Sequence, residues 1–242
     1  RPFRVDAAPA RVTFDQAWGL RPAAASPLWG LVGVGGDSLA ALGPDLATGV
    51  PSFIVAGPGG TGRSTILLSM ARSFLAAGTR VVLVMPRPSP LRSLTTAAGV
   101  AAAFTGTSLA DDELGDVLAA VEGRLAVIVD DAELLRDCDA SGELSRLISA
   151  GADVAGSAFR RVLVLAGDPE AGLCAGFGGW QVDARRARRG ALTAPGAVSD
   201  GELIGVRLTR GQVGQAGQQP RPGRCLLNAG NGHLVTVTVP AG

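Results

Sequence analysis

The eight residues GPGGTGRS, from Gly57 to Ser64, have the composition and spacing of a loop that binds phosphate groups. They match the pattern G-x-x-x-x-G-K-[ST] except that Arg63 replaces the lysine. Glycines let the backbone N–H groups face inward, and a helix that starts there adds partial positive charge. The alternative is a glycine-rich turn without a ligand. The predicted contacts with the phosphates are Gly57, Pro58, Gly59, Gly60, Thr61, Gly62, Arg63, Ser64 and Thr65.

Two carboxylates follow the apolar run LAVIV at residues 125–129. Asp130 stands where a carboxylate would hold Mg²⁺ through water, and the Ser64 hydroxyl would bind the ion directly. The loop and these ligands predict ATP bound with Mg²⁺. The alternative for Asp130 and Asp131 is that they cap the helix predicted to follow them.

Two residue types in this pattern predict slow or absent ATP hydrolysis. Arg63 reaches phosphate as a planar fork, whereas lysine reaches it as a compact point charge. Asp131, the candidate catalytic residue, stands where ATPases of this type often carry glutamate, and its side chain is one methylene shorter. A misplacement of about 1 Å can lower a rate roughly 10²-fold. We therefore expect binding to survive better than turnover.

Buried strands alternate with amphipathic helices from Ser52 onward, at SFIVA, RVVLVMP, RLAVIVDD and RRVLVLAGD. This alternation predicts an α/β fold with a mainly parallel, doubly wound sheet and helices on both faces. Together with the phosphate-binding loop between the first strand and its helix, it predicts a P-loop NTPase fold. Ser108, with Asp111 three residues later, predicts a capping box for a helix ending near Gly123. A further helix is predicted to run to about Gly151.

Two hairpins are predicted outside this alternation, at residues 31–46 and, near the C-terminus, at residues 225–239. Prolines recur in residues 1–27, which we interpret as an N-terminal arm or linker with at most a short strand or helix. Residues 28–242 are predicted to form the phosphate-binding domain.

Composition excludes several functions. The net charge is +1, and all 22 basic residues are arginine, so nothing indicates a nucleic-acid partner. Three separated cysteines and one histidine are too few for a zinc site or a disulfide framework. No apolar run approaches the roughly 20 residues of a membrane helix. We expect a cytoplasmic domain without membrane contact.

An arginine cluster follows the segment WQVDA. Arg185, Arg186, Arg188 and Arg189 are candidates for an arginine finger that reaches a neighbouring subunit, or they form a solvated strand edge.

Several segments together resemble the FtsK/SpoIIIE family of hexameric motor ATPases, in particular the degenerate C-terminal (third) ATPase domain of actinobacterial EccC of type VII secretion. The segments are GVGGDSLAALGPDL, GPGGTGRST, RVVLVMPRPSPLRSL, LAVIVDDAELL, VLVLAGD, VDARRARRG and PGRCLLNAGNG. The resemblance covers about residues 28–240 and implies a RecA-like core within a membrane-anchored parent protein. Active relatives carry the loop lysine, a glutamate and a polar residue after the next strand, where this chain has Arg63, Asp131 and Ala166-Gly167.

The resemblance implies specific partners: other ATPase modules of the same polypeptide, a hexamer of the parent protein and the C-terminal tail of a secreted substrate. The first hypothesis is an ATP-binding, weakly or non-hydrolysing module that docks protein substrates. The second is a DNA-translocating ATPase of chromosome segregation or cell division, which the near-zero net charge disfavours. The third is a docking module without ATPase activity.

Overall fold

The computed structural model describes residues 9–149, 161–214 and 223–241. The strands of these residues form one ten-stranded sheet in the order β2-β1-β10-β9-β8-β3-β7-β6-β4-β5. The strands are β1 Gly33–Gly35, β2 Ala40–Leu42, β3 Ser52–Ala56, β4 Arg80–Met85, β5 Val100–Thr105, β6 Leu125–Val129, β7 Arg161–Gly167, β8 Gly190–Leu192, β9 Arg224–Asn228 and β10 Val235–Thr238.

The sheet has a parallel part and an antiparallel part. The six strands from β8 to β5 are parallel, while β9, β10, β1 and β2 continue the sheet in antiparallel pairs beside β8. The predicted α/β fold is confirmed, and so are both predicted hairpins, which are β1–β2 and β9–β10. Because parallel strands end at the same edge, the loops after β3, β6 and β8 lie close together.

Helices cover both faces of the parallel strands. They are α1 Phe14–Gly19, α2 Arg63–Ala76, α3 Asp111–Ala120, α4 Ser141–Ser149 and α5 Trp180–Ala184, with short 3₁₀ turns at Pro90–Leu94, Ala132–Leu135, Arg185–Ala187, Val198–Ile204 and Arg210–Gln212.

Strand β3 illustrates how the core is divided. Phe53 and Val55 pack in the cluster that contains α2, whereas Ile54 and Ala56 pack in the cluster that contains α3, α4 and α5. Every residue of β3 is buried, as expected of a central parallel strand covered on both faces.

Local details differ from the sequence-based predictions. Strand β5 was not predicted, because its Ala-rich sequence VAAAFT lies at the edge of the sheet and is only half-buried. The predicted capping box at Ser108 is wrong: Ala110 is the N-cap of α3, and no side chain caps that helix. The predicted helix end near Gly151 lies outside the described residues, since α4 is described to Ser149.

The chain before residue 28 packs on the domain. Val12 and Ala17 share a buried cluster with Trp29 and Leu31, and Thr13 bridges to Ala241. Helix α1 is the short helix that the prediction allowed in this arm. Residues 1–8 lie outside the described part of the chain, and the division of the chain at residues 27 and 28 stays a prediction.

Candidate nucleotide-binding site

The glycine-rich loop joins β3 to α2, as the sequence predicts. Gly60 and Gly62 have φ of 77° and 102°, in the left-handed region that favours glycine. Gly57 is required for another reason, because a Cβ atom there would lie 2.1 Å from the carbonyl oxygen of Thr193. Gly62 is the N-cap of α2 and gives the first turn no side-chain hydrogen bond. The start of this 14-residue helix therefore offers N–H groups to an anion.

Arg63 is buried and holds two parts of the site together. Its guanidinium donates hydrogen bonds to the carbonyl oxygen of Gly57, at 2.7 Å, and to Oδ1 of Asp131, at 2.9 Å. Only 7% of the residue is exposed. Arg63, predicted to contact phosphate, is thus paired with Asp131, the candidate catalytic carboxylate. This Arg63–Asp131 ion pair links the loop to the end of β6.

Asp130 is buried at the end of β6. Oδ2 of Asp130 accepts a hydrogen bond from the Ser89 hydroxyl at 2.7 Å, and Oδ1 accepts one from the backbone N–H of Asp131 at 3.1 Å. The alternative that these carboxylates cap a helix is not realised by Asp131, because its side chain makes no capping hydrogen bond to the 3₁₀ turn that follows.

The donor set fits a magnesium ion. A carboxylate at Asp130 and a hydroxyl at Ser64 are the oxygen ligands that Mg²⁺ prefers, and each oxygen of Asp130 has capacity beyond its single hydrogen bond from the protein. Bound there, the ion would neutralise phosphate charge.

Burial dominates the electrostatics of the other two carboxylates. It raises the pKa of Asp131, the charge of Asp130 raises it further, and Arg63 and Arg87 act in the opposite direction. Burial also raises the pKa of Glu133. Oε2 of Glu133 accepts the backbone N–H of Asp168, and a Cβ atom on Gly167 would lie 2.4 Å from the same oxygen. Glu133 therefore fills the space that a side chain at the end of β7 would need.

Two residues that the sequence did not predict support the site, one at the loop and one at Asp130. Thr193, directly after β8, is buried, and its hydroxyl lies 2.7 Å from the hydroxyl of Thr61. Ser89 in turn orients Asp130. Neither residue lies in the two motifs, and only the three-dimensional fold brings them to the site. A polar residue directly after a strand was the one available signal for Thr193.

A pocket of about 340 Å³ adjoins the loop. Its walls come from the loop and the start of α2, from residues before α1, and from residues at and around β10. The lining residues are Ala10, Arg11, Val12, Thr61, Gly62, Thr65, Gly223, Thr238, Val239, Pro240 and Ala241. Its volume lies in the range of small-molecule sites.

The four clustered arginines have different environments. Arg189 is buried and donates to the carbonyl oxygens of Asp45, Thr48, Val50 and Ser52. It is therefore neither a solvated edge residue nor free to extend to a neighbour. Arg186 is exposed and pairs with Asp183 at 3.1 Å. The arginine finger stays a prediction for Arg185, Arg186 and Arg188.

The described residues include neither a metal-binding cluster nor a membrane-spanning helix. Among residues 9–149, 161–214 and 223–241, no group of three or more His, Cys, Asp or Glu side chains is placed to hold a metal ion. Within the same ranges, no helix has the length and apolar character needed to cross a bilayer.

The fold is that of secretion ATPase domains. The cytoplasmic domain of EssC matches with a TM-score of 0.72 and 13% identity over 99% of this chain and 49% of that one. EccC ATPases 2 and 3 of Thermomonospora curvata, solved with a signal sequence peptide, match with a TM-score of 0.72 and 17% identity. This match covers 98% of this chain and 44% of that one. EssC ATPases 2 and 3 of Geobacillus thermodenitrificans match with a TM-score of 0.70 and 14% identity. This match covers 96% of this chain and 44% of that one.

These matches confirm the predicted resemblance at the level of the fold. The chain spans less than half the length of each of the three structures. No protein-family model matches the chain, and no curated protein matches it in sequence.

Proposed function

We propose that the chain is an ATP-binding, weakly or non-hydrolysing ATPase module of a membrane-anchored FtsK/SpoIIIE-type motor of type VII secretion. The observation that carries the proposal is the glycine loop at the start of α2, set beside Asp130 in a fold shared with the ATPase domains of EccC and EssC. The phosphates lie on Gly57 to Thr65, and Ser64 and Asp130 hold Mg²⁺.

The Arg63–Asp131 ion pair supports slow hydrolysis. Oδ1 of Asp131 is bound to the Arg63 guanidinium at 2.9 Å, so while the pair is formed only the second carboxylate oxygen is left to orient water, in a position that the pair fixes. Arg63 is likewise withdrawn from phosphate. Both groups that an ATPase needs for the transition state are engaged with each other, whereas the backbone of the loop remains suited to bind phosphate.

The partner of the module is a protein segment rather than duplex DNA. The EccC structure that shares this fold was solved with a signal sequence peptide, and two of the matched structures each contain ATPases 2 and 3. In this chain, basic and acidic residues nearly balance, at 22 and 21. A face that neutralises several phosphates normally needs clustered excess charge. The arginine cluster that follows α5 offers less charge to a phosphate than its sequence indicates, because Arg189 is buried.

Calorimetry and thermal melting with ATP and Mg²⁺ test the proposal. We expect saturable binding and a higher melting temperature, because ligand at 100 times its Kd stabilises the folded state by about 2.7 kcal/mol. Ser64→Ala removes the proposed magnesium ligand, so it should weaken binding with Mg²⁺ more than binding in EDTA. Ser38→Ala makes the same substitution at an exposed serine in the turn between β1 and β2, so it is the matched control and should bind like the wild type.

Three results would count against the proposal. With millimolar ATP, no heat and no thermal shift would exclude nucleotide binding. Wild-type turnover of several molecules per second would exclude a weakly hydrolysing module, since kinase-like rates begin at roughly 1 s⁻¹. Salt-sensitive, sub-micromolar binding of duplex DNA, with no binding of a secreted substrate's C-terminal peptide, would favour the DNA-translocating alternative.

A further inference from the structure

The pocket beside the glycine loop has one wall that belongs to the N-terminal segment. Ala10, Arg11 and Val12 face the pocket from one side, and Thr61, Gly62 and Thr65 belong to both the pocket and the loop. A nucleotide whose phosphates lie on the loop would therefore extend directly into this pocket.

The two ends of a nucleotide have different surroundings at the loop. Asp130 and Asp131 do not line the pocket, and the Arg63–Asp131 ion pair connects the loop to β6. The terminal phosphate and its Mg²⁺ belong beside these carboxylates. The opposite end of the nucleotide carries the base and ribose, and the pocket offers that end apolar side chains from Val12, Val239 and Pro240.

The N-terminal wall is attached to the C-terminal strand by specific hydrogen bonds. The N–H of Ala241 donates to the carbonyl oxygen of Val12 at 2.9 Å. The hydroxyl of Thr238 donates to the carbonyl oxygen of Pro9 at 2.9 Å. Both bonds border the pocket, because Val12, Thr238 and Ala241 are among its lining residues.

We propose that the base and ribose of the nucleoside triphosphate occupy this pocket, and that nucleotide binding holds residues 9–13 against residues 238–241. The inference rests on the proposed nucleotide function. It assigns a binding role to a segment whose sequence predicts an arm or linker. Any part of the polypeptide that precedes this segment is then coupled to the occupancy of the site, because the segment leaves the pocket wall only at a cost in nucleotide affinity.

The test compares ATP with inorganic tripolyphosphate, each with Mg²⁺, in wild type and in Ala10→Trp. Ala10 is exposed, so an indole there fills the pocket without disturbing the core. We expect Ala10→Trp to weaken ATP binding at least about tenfold and to change tripolyphosphate binding by less than about twofold. Ala24→Trp is the matched control: Ala24 is also exposed and lies in the same arm but does not line the pocket, so both affinities should stay unchanged.

Hydrogen exchange supplies a second readout that does not depend on the variants. Exchange of the Ala241 N–H should slow when ATP binds and should not slow with tripolyphosphate, because only the nucleoside would add contacts that hold residues 9–13 against residues 238–241. Equal losses of ATP and tripolyphosphate affinity in Ala10→Trp, or an unchanged ATP affinity, would overturn the assignment of the base and ribose to the pocket. The proposal that the wild type binds phosphate on the loop would still stand. If wild type bound neither compound, the proposed function itself would fail, and this inference with it.

Discussion

Two buried arginines lie at opposite ends of strand β3 and differ in what they contact. At the N-terminal end of β3, Arg189 donates to four carbonyl oxygens, among them those of Ser52 at 3.0 Å and Asp45 at 3.0 Å. At the C-terminal end of β3, Arg63 donates to the carbonyl oxygen of Gly57 and to the carboxylate of Asp131. Both residues are 7% exposed, so burial does not distinguish them.

The difference lies in what could replace each partner. The four carbonyl oxygens that Arg189 contacts belong to the segment before β3 and to its first residue, so this arginine fastens that segment to the start of β8. Burial lowers the pKa of Arg189 to about 10, which still leaves it charged at neutral pH. The carboxylate of Asp131 could be exchanged for a phosphate, because both are anions that guanidinium binds well. Arg189 is therefore structural, whereas Arg63 is available to a ligand once its ion pair opens.

The largest effect is expected from removing Arg189. Arg189→Ala removes the hydrogen bonds to four carbonyl oxygens, among them the buried one of Ser52, and also the packing of a buried side chain. We therefore expect the free energy of unfolding to fall by about 3 kcal/mol. Chemical denaturation measures the loss. Arg186→Ala, which breaks an exposed pair, should cost less than about 1 kcal/mol. Similar losses in the two variants would show that the contacts of Arg189 do not matter to the fold.

An intermediate effect is expected at the other end of β3. Asp131→Asn removes the negative charge and frees Arg63, so ATP should bind about three- to tenfold more tightly, since a larger fraction of molecules is ready to bind. Calorimetry measures the change. Asp131→Asn combined with Arg63→Met should lose the gain, because no guanidinium is left to reach phosphate. Weaker binding by Asp131→Asn alone would mean that the carboxylate assists the ligand instead of competing with it.

The smallest effect is the pH dependence of that gain. The pKa of Asp131 is raised from 3.8, so as the pH falls toward the raised value the carboxylate becomes neutral earlier than in the unfolded chain. The same raised pKa affects folding: the contribution of Asp131 to the free energy of unfolding is largest below pH 3.8 and is lost as the pH rises through the raised pKa. Arg63 loses its anionic partner on acidification.

The ratio of the ATP Kd of wild type to that of Asp131→Asn should therefore approach one as the pH falls. The protonation of ATP itself cancels in this ratio, because both proteins bind the same nucleotide. Asp130, Arg63 and Arg87 also act on Asp131, and they are present in both proteins. A ratio that does not change with pH would show that the gain in ATP affinity does not arise from removing the charge of Asp131.

The sequence predicted the parts of the molecule that depend on local pattern. Strands β3, β6 and β7 are continuous apolar runs, and the loop at Gly57 to Ser64 has a fixed spacing, so both were recognisable. The fold brings in the rest. Ser89 reaches Asp130 from 41 positions away, and Thr193 reaches Thr61 from 132 positions away, so no local pattern relates either residue to the site.

The arginine cluster illustrates the same limit from the opposite direction. Four arginines within five positions are typical of a solvated surface, and for the exposed Arg186 that interpretation holds. Arg189 follows the same pattern but is the residue directly before β8, which lies between β3 and β9 inside the sheet. Its burial depends on strand order, which sequence alone does not supply.

The strand order also has a consequence for how the chain acquires its structure. Strand β10 joins the β1–β2 hairpin to the rest of the sheet, and residues 9 and 238 meet through a hydrogen bond that closes 229 positions of chain. Contacts of such long range form slowly, because most of the chain must be ordered before they close. During synthesis the β1–β2 hairpin is made before β10, its neighbour in the sheet. Until then its open edge is a site for incorrect pairing or for a chaperone.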